Sequence, residues 1–308
     1  MKHIINIRDE ISFDSILELM PSFKNVDDIL EIHFGNAFAR PAGVAILSSL
    51  FFNYKDKVSI KYDNRNDIQY LQRVNFFKNL DIIISEEFIR HDASSNLLEC
   101  NKIISDNDPH FIDNKLKTIL ESHLTDKQNL ILGILLTTFE VTDNILEHST
   151  GGAFQETDRK ISIPGFITAQ YYNSYDNHIE IGISDFGKGI VDTLIQEYKN
   201  LSREDVLRKA FTLNTSRYKK IMPSRGNGLA KLKEFVLISK GYIKCRTNEF
   251  LIIFDESNPE GYIQKLDYIQ GAHFDIKIGC YNNIDTKPIF NADFTDYEED
   301  DFDDFFTN

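Results

Sequence analysis

Four polar side chains that could do chemistry recur along one apolar stretch, residues 130–149. Glu140, Asn144, Glu147 and His148 are three or four positions apart, so on a helix they project from one face in successive turns. A carboxylate, an amide and an imidazole are costly to bury unless they find partners, and an ion or a bound phosphate chain would supply them. The stretch therefore predicts a long helix with a buried apolar side and a second side that binds or reacts.

A second candidate segment is the pentapeptide DFGKG at residues 185–189, which directly follows a predicted strand over residues 178–184. Asp185 at the end of a buried strand can present its carboxylate as a fixed hydrogen-bond acceptor. Gly187 and Gly189 allow the backbone to turn tightly beside a ligand. The segment predicts a loop that contacts a planar or polar ligand at the strand end.

A third segment, RGNGL, opens a predicted helix over residues 229–239. Backbone N–H groups at a helix N-terminus favour an anion such as phosphate. The preceding residues 213–225 are polar and basic with few apolar anchors, which predicts a mobile segment. The candidate phosphate contacts are Lys219, Lys220, Arg225, Gly226, Asn227, Gly228 and Leu229.

Each of these residues also has a plainer interpretation. Glu140 and Asn144 could lie on a solvated helix face, and Asp185 could cap the following turn. His148 could simply be a helix C-terminal residue favoured by the helix dipole. The basic residues of 213–225 could be ordinary surface charge.

Composition narrows the function classes. The chain has 308 residues, 42% of them hydrophobic, and a formal net charge of −14. This acidity argues against a nucleic-acid binder, which needs clustered Lys and Arg. Three cysteines without metal-ligand spacing predict a reduced, cytoplasmic protein. The N-terminus carries charges too early for a signal peptide, and apolar runs of about ten residues are short for a membrane span.

Strands alternate with helices through much of the sequence, which predicts an α/β protein. Residues 1–92 predict a first domain with a mostly parallel sheet that includes strands over 3–7 and 58–62. Its predicted helices cover residues 41–53, 67–79 and 13–20, the last ended by Pro21. Residues 93–122 are interpreted as a linker and connecting helix. Residues 123–284 predict a second, two-layer domain with helices over a mixed sheet, in which residues 242–245 and 250–254 are two of the strands. Residues 285–308 predict an acidic, aromatic tail.

The first domain resembles the STAS domain of anti-anti-sigma factors. The segments ILEIHFGNAFARPAGVAILSSLF and VSIKYDNRNDIQYLQRVNFFKNLDI look like its central strand, loop and helix and its following strand and helix. Where that family carries a phosphorylatable serine before a glycine, this chain has Ala42 before Gly43, so the resemblance implies that the switch is missing. A generic α/β module is the alternative.

The second domain resembles the GHKL, or Bergerat-fold, ATP-binding domain shared by gyrase B subunits, heat-shock chaperones, sensor histidine kinases and anti-sigma-factor serine kinases. FEVTDNILEHS looks like its N box, DFGKG like its G1 box and RGNGL like its G2 box, with LDYIQGAHFDIKI as a closing strand. The resemblance covers residues 124–283. The family often has Gly-Thr in the closing strand, where this chain has Gly271-Ala272.

The resemblance implies a role for each motif. Asp185 would bind the adenine amino group, Asn144 would hold Mg²⁺ together with phosphate oxygens and water, and His148 would contact phosphate. Glu140 lies where these ATPases place a general base. Sensor histidine kinases commonly have asparagine there, so Glu140 argues against that branch.

These inferences lead to one expectation and its rivals. We expect a cytoplasmic regulatory or signalling protein that binds Mg-ATP and hydrolyses it slowly. The alternatives are a serine kinase of the anti-sigma type and a binding module that nucleotide only gates. We expect a protein partner, leave a homodimer open, and expect no membrane or nucleic-acid partner. The tail, with eight acidic residues and five aromatic ones from Asp293 onward, is either a solubilising end or a docking motif.

Overall fold

The structure of the chain is a computed structural model, and it is an α/β protein, as the sequence predicts. It describes residues 3–24, 29–86, 88–149, 160–173, 176–212, 227–280 and 284–290. The helices are α1 Phe13–Lys24, α2 Pro41–Asn53, α3 Asn66–Arg73, α4 Phe76–Asn79, α5 Asn107–His123, α6 Gln128–Ser149, α7 Ile190–Leu194, α8 Arg203–Ala210, α9 Gly228–Ile238 and α10 Lys287–Phe290. The strands are β1 His3–Ile7, β2 Glu10–Ile11, β3 Leu30–Phe34, β4 Phe38–Ala39, β5 Val58–Tyr62, β6 Leu97–Ser105, β7 Lys160–Tyr172, β8 His178–Ser184, β9 Tyr242–Asp255 and β10 Asn258–Gly279.

The N-terminal region is built on parallel strand pairs. One sheet has the order β1-β3-β5, and β2 pairs with β4 beside it. Helix α2 covers this sheet through a cluster of aromatic rings around Phe51, which contacts Phe34 and Phe76. Pro41 begins α2, where its missing N–H costs nothing because the first helical N–H groups have no intrahelical acceptor.

The second region is a five-stranded sheet in the order β6-β7-β8-β10-β9. The pairings among these described strands are all antiparallel, so parallel and antiparallel pairs occupy separate sheets. Helices α6 and α9 pack on one face of this sheet, and α5 packs against α6 and β6. The resulting apolar core includes Ile179, Ile181 and Ile183 of β8.

Helix α2 also packs on the opposite face of the five-stranded sheet, against β7 and β8. The approach is close at Gly182, where an added Cβ would lie 2.3 Å from the Cα of Ala42. This double contact explains why every residue of α2 from Pro41 to Phe51 is buried. The N-terminal region and the second sheet thus share a continuous core, which also contains Phe166 and Phe186.

Three local predictions are wrong. The segment interpreted as a linker contains strand β6, which pairs with β7 at the edge of the second sheet. Helix α1 continues through Pro21 to Lys24 because its last turn buries Phe23 against Phe51 and Tyr54. The helix expected over residues 67–79 is split into α3 and α4 by the left-handed backbone of Asn75, at φ 61°.

By length and composition alone, one described helix is long and apolar enough to cross a bilayer, over Gln128–Leu146. Two thirds of that stretch (67%) is buried inside the fold. Because a core helix of a soluble protein meets the same criteria, this stretch of α6 is weak support for a membrane span.

Candidate functional site

Glu140 lies against the first turn of helix α9. A Cβ added to Gly228 would be 2.6 Å from Oε2 of Glu140, and one added to Gly133 would be 2.4 Å from the Phe235 ring. The two contacts show that α6 and α9 run antiparallel, with the start of α9 beside the second half of α6. Glycine at position 228 is what permits this approach. The structure therefore brings together two of the three segments predicted to carry chemistry.

Asp185 lies at the same end of the sheet as the start of α9. Helix α9 leads through a short turn into β9, which begins opposite Lys277, while β8 ends opposite His273. The last turn of α9 therefore lies at the end of the sheet where β8 begins. The first turn of α9 lies at the opposite end, where β8 finishes. The main-chain N–H of Asp185 donates to the carbonyl of Ala272 at 3.0 Å, which continues the ladder by one residue.

The neighbours of Asp185 in the sheet are small. Extending the β7–β8 register by one residue past the Phe166–Ser184 pair places Gly165 opposite Asp185. Ala272 of β10 lies opposite Asp185 on the other side. Gly165 and Ala272 belong to the face that packs on α6 and α9, because residues directly opposite one another share a face. The Ile145 side chain of α6 lies over Gly165, 2.8 Å from where its Cβ would be. Asp185 is thus a carboxylate between two small residues, next to the second half of α6.

Asp185 is buried, with 8% of its surface exposed, and a hydrogen bond fixes its carboxyl group. Its Oδ1 accepts a hydrogen bond of 2.7 Å from the N–H of Gly187. Burial raises the pKa of Asp185 to about 6, while hydrogen bonds from the backbone of Gly187 and Ala272 act in the opposite direction. The group therefore changes charge close to neutral pH, which is common for carboxylates at functional sites.

Two glycines shape the loop that follows Asp185. Gly189 has φ 80° and Gly271 has φ 93°, both in the region that other residues rarely adopt. A Cβ on Gly271 would lie 2.0 Å from the carbonyl oxygen of Asp185, so the backbone of β10 passes directly over the start of the loop. Phe186 is packed in the core beneath, with its ring 5.6 Å from that of His273.

Two site residues that the sequence prediction missed hold this loop. Thr247 and Asn248 of β9 lie in the gap between two strands predicted at residues 242–245 and 250–254, and both are fully buried. Their side chains bond to the backbone of Lys188, Ile190 and Val191. Asn248 has φ 49°, and a lone asparagine between two apolar runs is typical of a left-handed position, which was the available clue.

The remaining predicted residues are placed as follows. Asn144 is half-buried in α6, Glu140 is exposed, Gly187 is buried and Leu229 is half-buried. Asn227 precedes α9, where its carbonyl accepts a 2.8 Å bond from the N–H of Lys231. Lys219, Lys220, Arg225, Gly226 and the side chain of His148 lie outside the described residues.

The described part of the chain contains no group of three or more His, Cys, Asp or Glu side chains that could hold a metal ion. A magnesium ion does not need such a group when it is bound by one or two protein oxygens and the phosphates of a nucleotide. The half-buried amide of Asn144, near Glu140 and the start of α9, is compatible with that mode of binding.

The arrangement offers three chemical functions at one end of the sheet. Asp185 is a fixed acceptor between small residues, the eleven-residue helix α9 presents the N–H groups of its first turn, and Glu140 supplies an exposed carboxylate beside them. No protein-family model matches this sequence, and no curated protein is significantly similar to it.

Proposed function

We propose that this protein binds Mg-ATP in the manner of the GHKL family and hydrolyses it slowly as part of a regulatory or signalling function. The observation that carries the proposal is the contact of Glu140 with Gly228, at the end of the sheet where Asp185 follows β8. It joins the acidic helix face, the glycine turn after β8 and a helix N-terminus into one candidate site.

Each end of the site suits a different part of the nucleotide. The Asp185 carboxylate, with Gly165 and Ala272 beside it, would accept from the adenine amino group. The phosphates would face the first N–H groups of α9, beginning at Gly228. Asn144 would hold Mg²⁺ through its amide oxygen, and the ion would neutralise charge on the phosphate oxygens.

Glu140 is the residue proposed to act as general base. Its carboxylate lies beside the start of α9, so it would be next to the terminal phosphate, where it would take a proton from the attacking water. The His273 imidazole is excluded from this role because it is fully buried on the other face of the sheet, bonded to Ser184 at 2.7 Å.

Phosphate release by the purified full chain tests the catalytic assignment. Glu140→Gln should bind Mg-ATP with little change but release phosphate about a hundredfold more slowly, the usual effect of losing a general base. Glu121→Gln is the matched control, because Glu121 is a half-exposed acid on the neighbouring helix α5, where it pairs with Lys117. Equal rates in the wild type and Glu140→Gln would contradict the assignment.

A serine protein kinase is the second candidate. The exposure of Glu140 favours it, because a base that reaches solvent can also reach a hydroxyl group on a partner. Incubation with labelled ATP and candidate partner proteins separates the two activities: kinase activity transfers label to a serine, whereas hydrolysis releases it as inorganic phosphate.

We infer a reducing, cytoplasmic location and a protein partner for this regulatory role. The three cysteines, Cys100, Cys245 and Cys280, are buried and free, which is typical of proteins that keep their thiols reduced. The acidic, aromatic residues after Phe290 are the proposed contact with that partner, and they lie outside the described residues. A pull-down with and without residues 291–308 tests this assignment.

A further inference from the structure

The side chain of Asn248 binds the loop that carries Asp185 to β9. Its Oδ1 accepts hydrogen bonds from the N–H of Val191 at 3.0 Å and of Asp192 at 3.3 Å. Its Nδ2 donates to the carbonyl of Lys188 at 2.9 Å. These three backbone groups flank the start of α7, immediately after the DFGKG segment.

Asn248 accepts the hydrogen bonds of the first N–H groups of α7, which the residue preceding α7 cannot accept. The N-cap position of α7 is Gly189, which has no side chain to accept from the first helical N–H groups. A Cβ at Gly189 would lie 2.7 Å from the Asn248 amide atoms. Glycine at 189 and asparagine at 248 are therefore complementary, since the space that the one leaves open is filled by the other.

Thr247 extends the same attachment to β10. Its Oγ1 accepts from the N–H of Ile190 at 2.9 Å and donates to the carbonyl of Gly271 at 2.9 Å. Gly271 in turn lies directly against the carbonyl of Asp185. The backbone on both sides of the Asp185 loop is thus fixed from β9, by residues about sixty positions away in the sequence.

We propose that Asn248 is a positioning residue for the adenine end of the nucleotide site, an inference that rests on the proposed function. Without its amide, two N–H groups and one carbonyl in a buried region lose their partner. The loop then relaxes, and the Asp185 carboxylate and the Gly187 backbone lose their fixed geometry. The phosphate end, formed by Glu140 and the start of α9, is carried by other elements and is unaffected.

The test uses two variants of the full chain and one control. Asn248→Gly removes the side chain but tolerates the backbone angle of φ 49°. Asn248→Asp keeps an acceptor oxygen and loses the donor to Lys188. Lys240→Gly is the control, because Lys240 also has a positive φ, 53°, and is exposed in the turn between α9 and β9.

Hydrogen exchange without nucleotide examines the attachment itself. In Asn248→Gly the amides of residues 187–192 should exchange at least about tenfold faster than in the wild type, corresponding to the loss of one or more buried hydrogen bonds. In Lys240→Gly these exchange rates should be unchanged. In Asn248→Asp they should lie between those of the wild type and those of Asn248→Gly. Unchanged exchange in Asn248→Gly would overturn the attachment, whatever the protein binds.

Calorimetric titration with two probes examines the role in binding. Asn248→Gly should weaken Mg-ATP about tenfold to a hundredfold, whereas Mg-tripolyphosphate, which has no adenine, should bind within about twofold of the wild type. Asn248→Asp, which preserves packing, should partly restore ATP affinity. Equal weakening of both probes would show general destabilisation and overturn the positioning role. A wild type that binds neither probe would overturn the proposed function, even with the exchange result intact.

Discussion

The two faces of the five-stranded sheet are buried by different means. On the face that packs on α6 and α9, strand β8 contributes Ile179, Ile181 and Ile183 to an apolar core. On the face covered by α2, the same strand presents Glu180, Gly182 and Ser184. Strand β8 thus presents apolar side chains on one face, whereas on the other face Glu180 and Ser184 place polar groups beside the apolar helix α2.

The polar face is stabilised by side chains of the N-terminal region. Glu180 is 4% exposed and accepts from Arg40 at 2.9 Å, while Arg40 also bonds to Glu10 at 2.8 Å. On β9, Lys244 pairs with Asp14 of α1 at 2.6 Å. The N-terminal region is therefore bound to the second sheet by specific ion pairs as well as by packing.

Asp185 differs from the buried acids of the polar face in the groups that lower its pKa. For Glu180 these groups include Arg40, and for Asp275 they include Lys244. For Asp185 they are the backbone N–H groups of Gly187 and Ala272. Within the described part of the chain no cation lowers the pKa of Asp185, so its carboxylate is suited to an external partner. The predictions that follow test the two faces separately, beginning with the largest expected effect.

A paired glycine substitution tests how tightly each face is packed. Gly182→Ala on the α2 face would place a Cβ 2.3 Å from backbone atoms of Ala42, which cannot move without shifting the helix. Gly165→Ala on the other face would place a Cβ 2.8 Å from the side chain of Ile145 and 3.6 Å from that of Ile103, and the Ile145 side chain can move. We expect a loss of about 3 kcal/mol for the first and about 1 kcal/mol or less for the second, measured by urea unfolding. Equal losses would contradict the difference in packing.

The pH dependence of stability tests the polar face. Burial, with the nearby Glu180 charge, raises the pKa of Asp275 from 3.8 to about 7. The folded state then holds a proton that the unfolded state releases, so this group makes the protein less stable as pH rises from about 4 to 7. Asp275→Asn should remove that slope and add about 2 kcal/mol at pH 8, since one pKa unit corresponds to about 1.4 kcal/mol and the amide recovers only part of it.

His273, on the same face, contributes in the opposite direction. Burial lowers its pKa from 6.5 to about 3, so the unfolded state takes up a proton first and stability falls as pH drops below about 6.5. Unfolding curves of the wild type and Asp275→Asn between pH 4 and 8 separate the two contributions. An unchanged slope in the variant would show that Asp275 is ionised in the folded state.

The smallest effect is expected for the ion pair at the edge of the polar face. Glu180→Gln keeps the shape and a hydrogen-bond acceptor for Arg40 but loses the charge. Because the Arg40 side chain is 42% exposed, solvent screens the pair, and we expect a loss of about 1 kcal/mol above pH 5. The pKa of Glu180 is lowered in the fold because His178 and Arg40 outweigh burial, so this loss should vanish as pH falls below about 4. A loss that persists in acid would point to packing instead.

Much of the fold follows from local sequence patterns. The α/β class is correct, and β1, α2, β5 and β8 have the predicted bounds, because each is a periodic apolar segment with clear flanking residues. Strand β6 was missed because its apolar residues lie between polar segments, and the strand pairs with β7, about sixty residues away in the sequence. The packing of α2 against two sheets could not be predicted from the sequence either, because a helix that is apolar on all sides does not indicate which element packs on each side.

The sequence indicated the candidate site residues, but it did not indicate the residues that hold the Asp185 loop in place. Glu140, Asp185 and the glycines are marked by residue type and spacing. The attachment by Thr247 and Asn248 depends on contacts across about sixty residues, and no local pattern links them to Gly189. Candidate residues with reactive groups are thus easier to find from sequence than the residues that fix the position of their loop.

Calorimetric titration of the full chain with Mg-ATP, in the wild type and in Asp185→Asn, tests the central claim most directly. The account predicts saturable binding at pH 8 that weakens about tenfold in Asp185→Asn, the effect of losing a charged acceptor. Adenosine, which has no phosphate to titrate, should bind the wild type more weakly as pH falls below about 6, where Asp185 takes up its proton. A flat wild-type titration, or an affinity that is the same in the variant, would contradict the account.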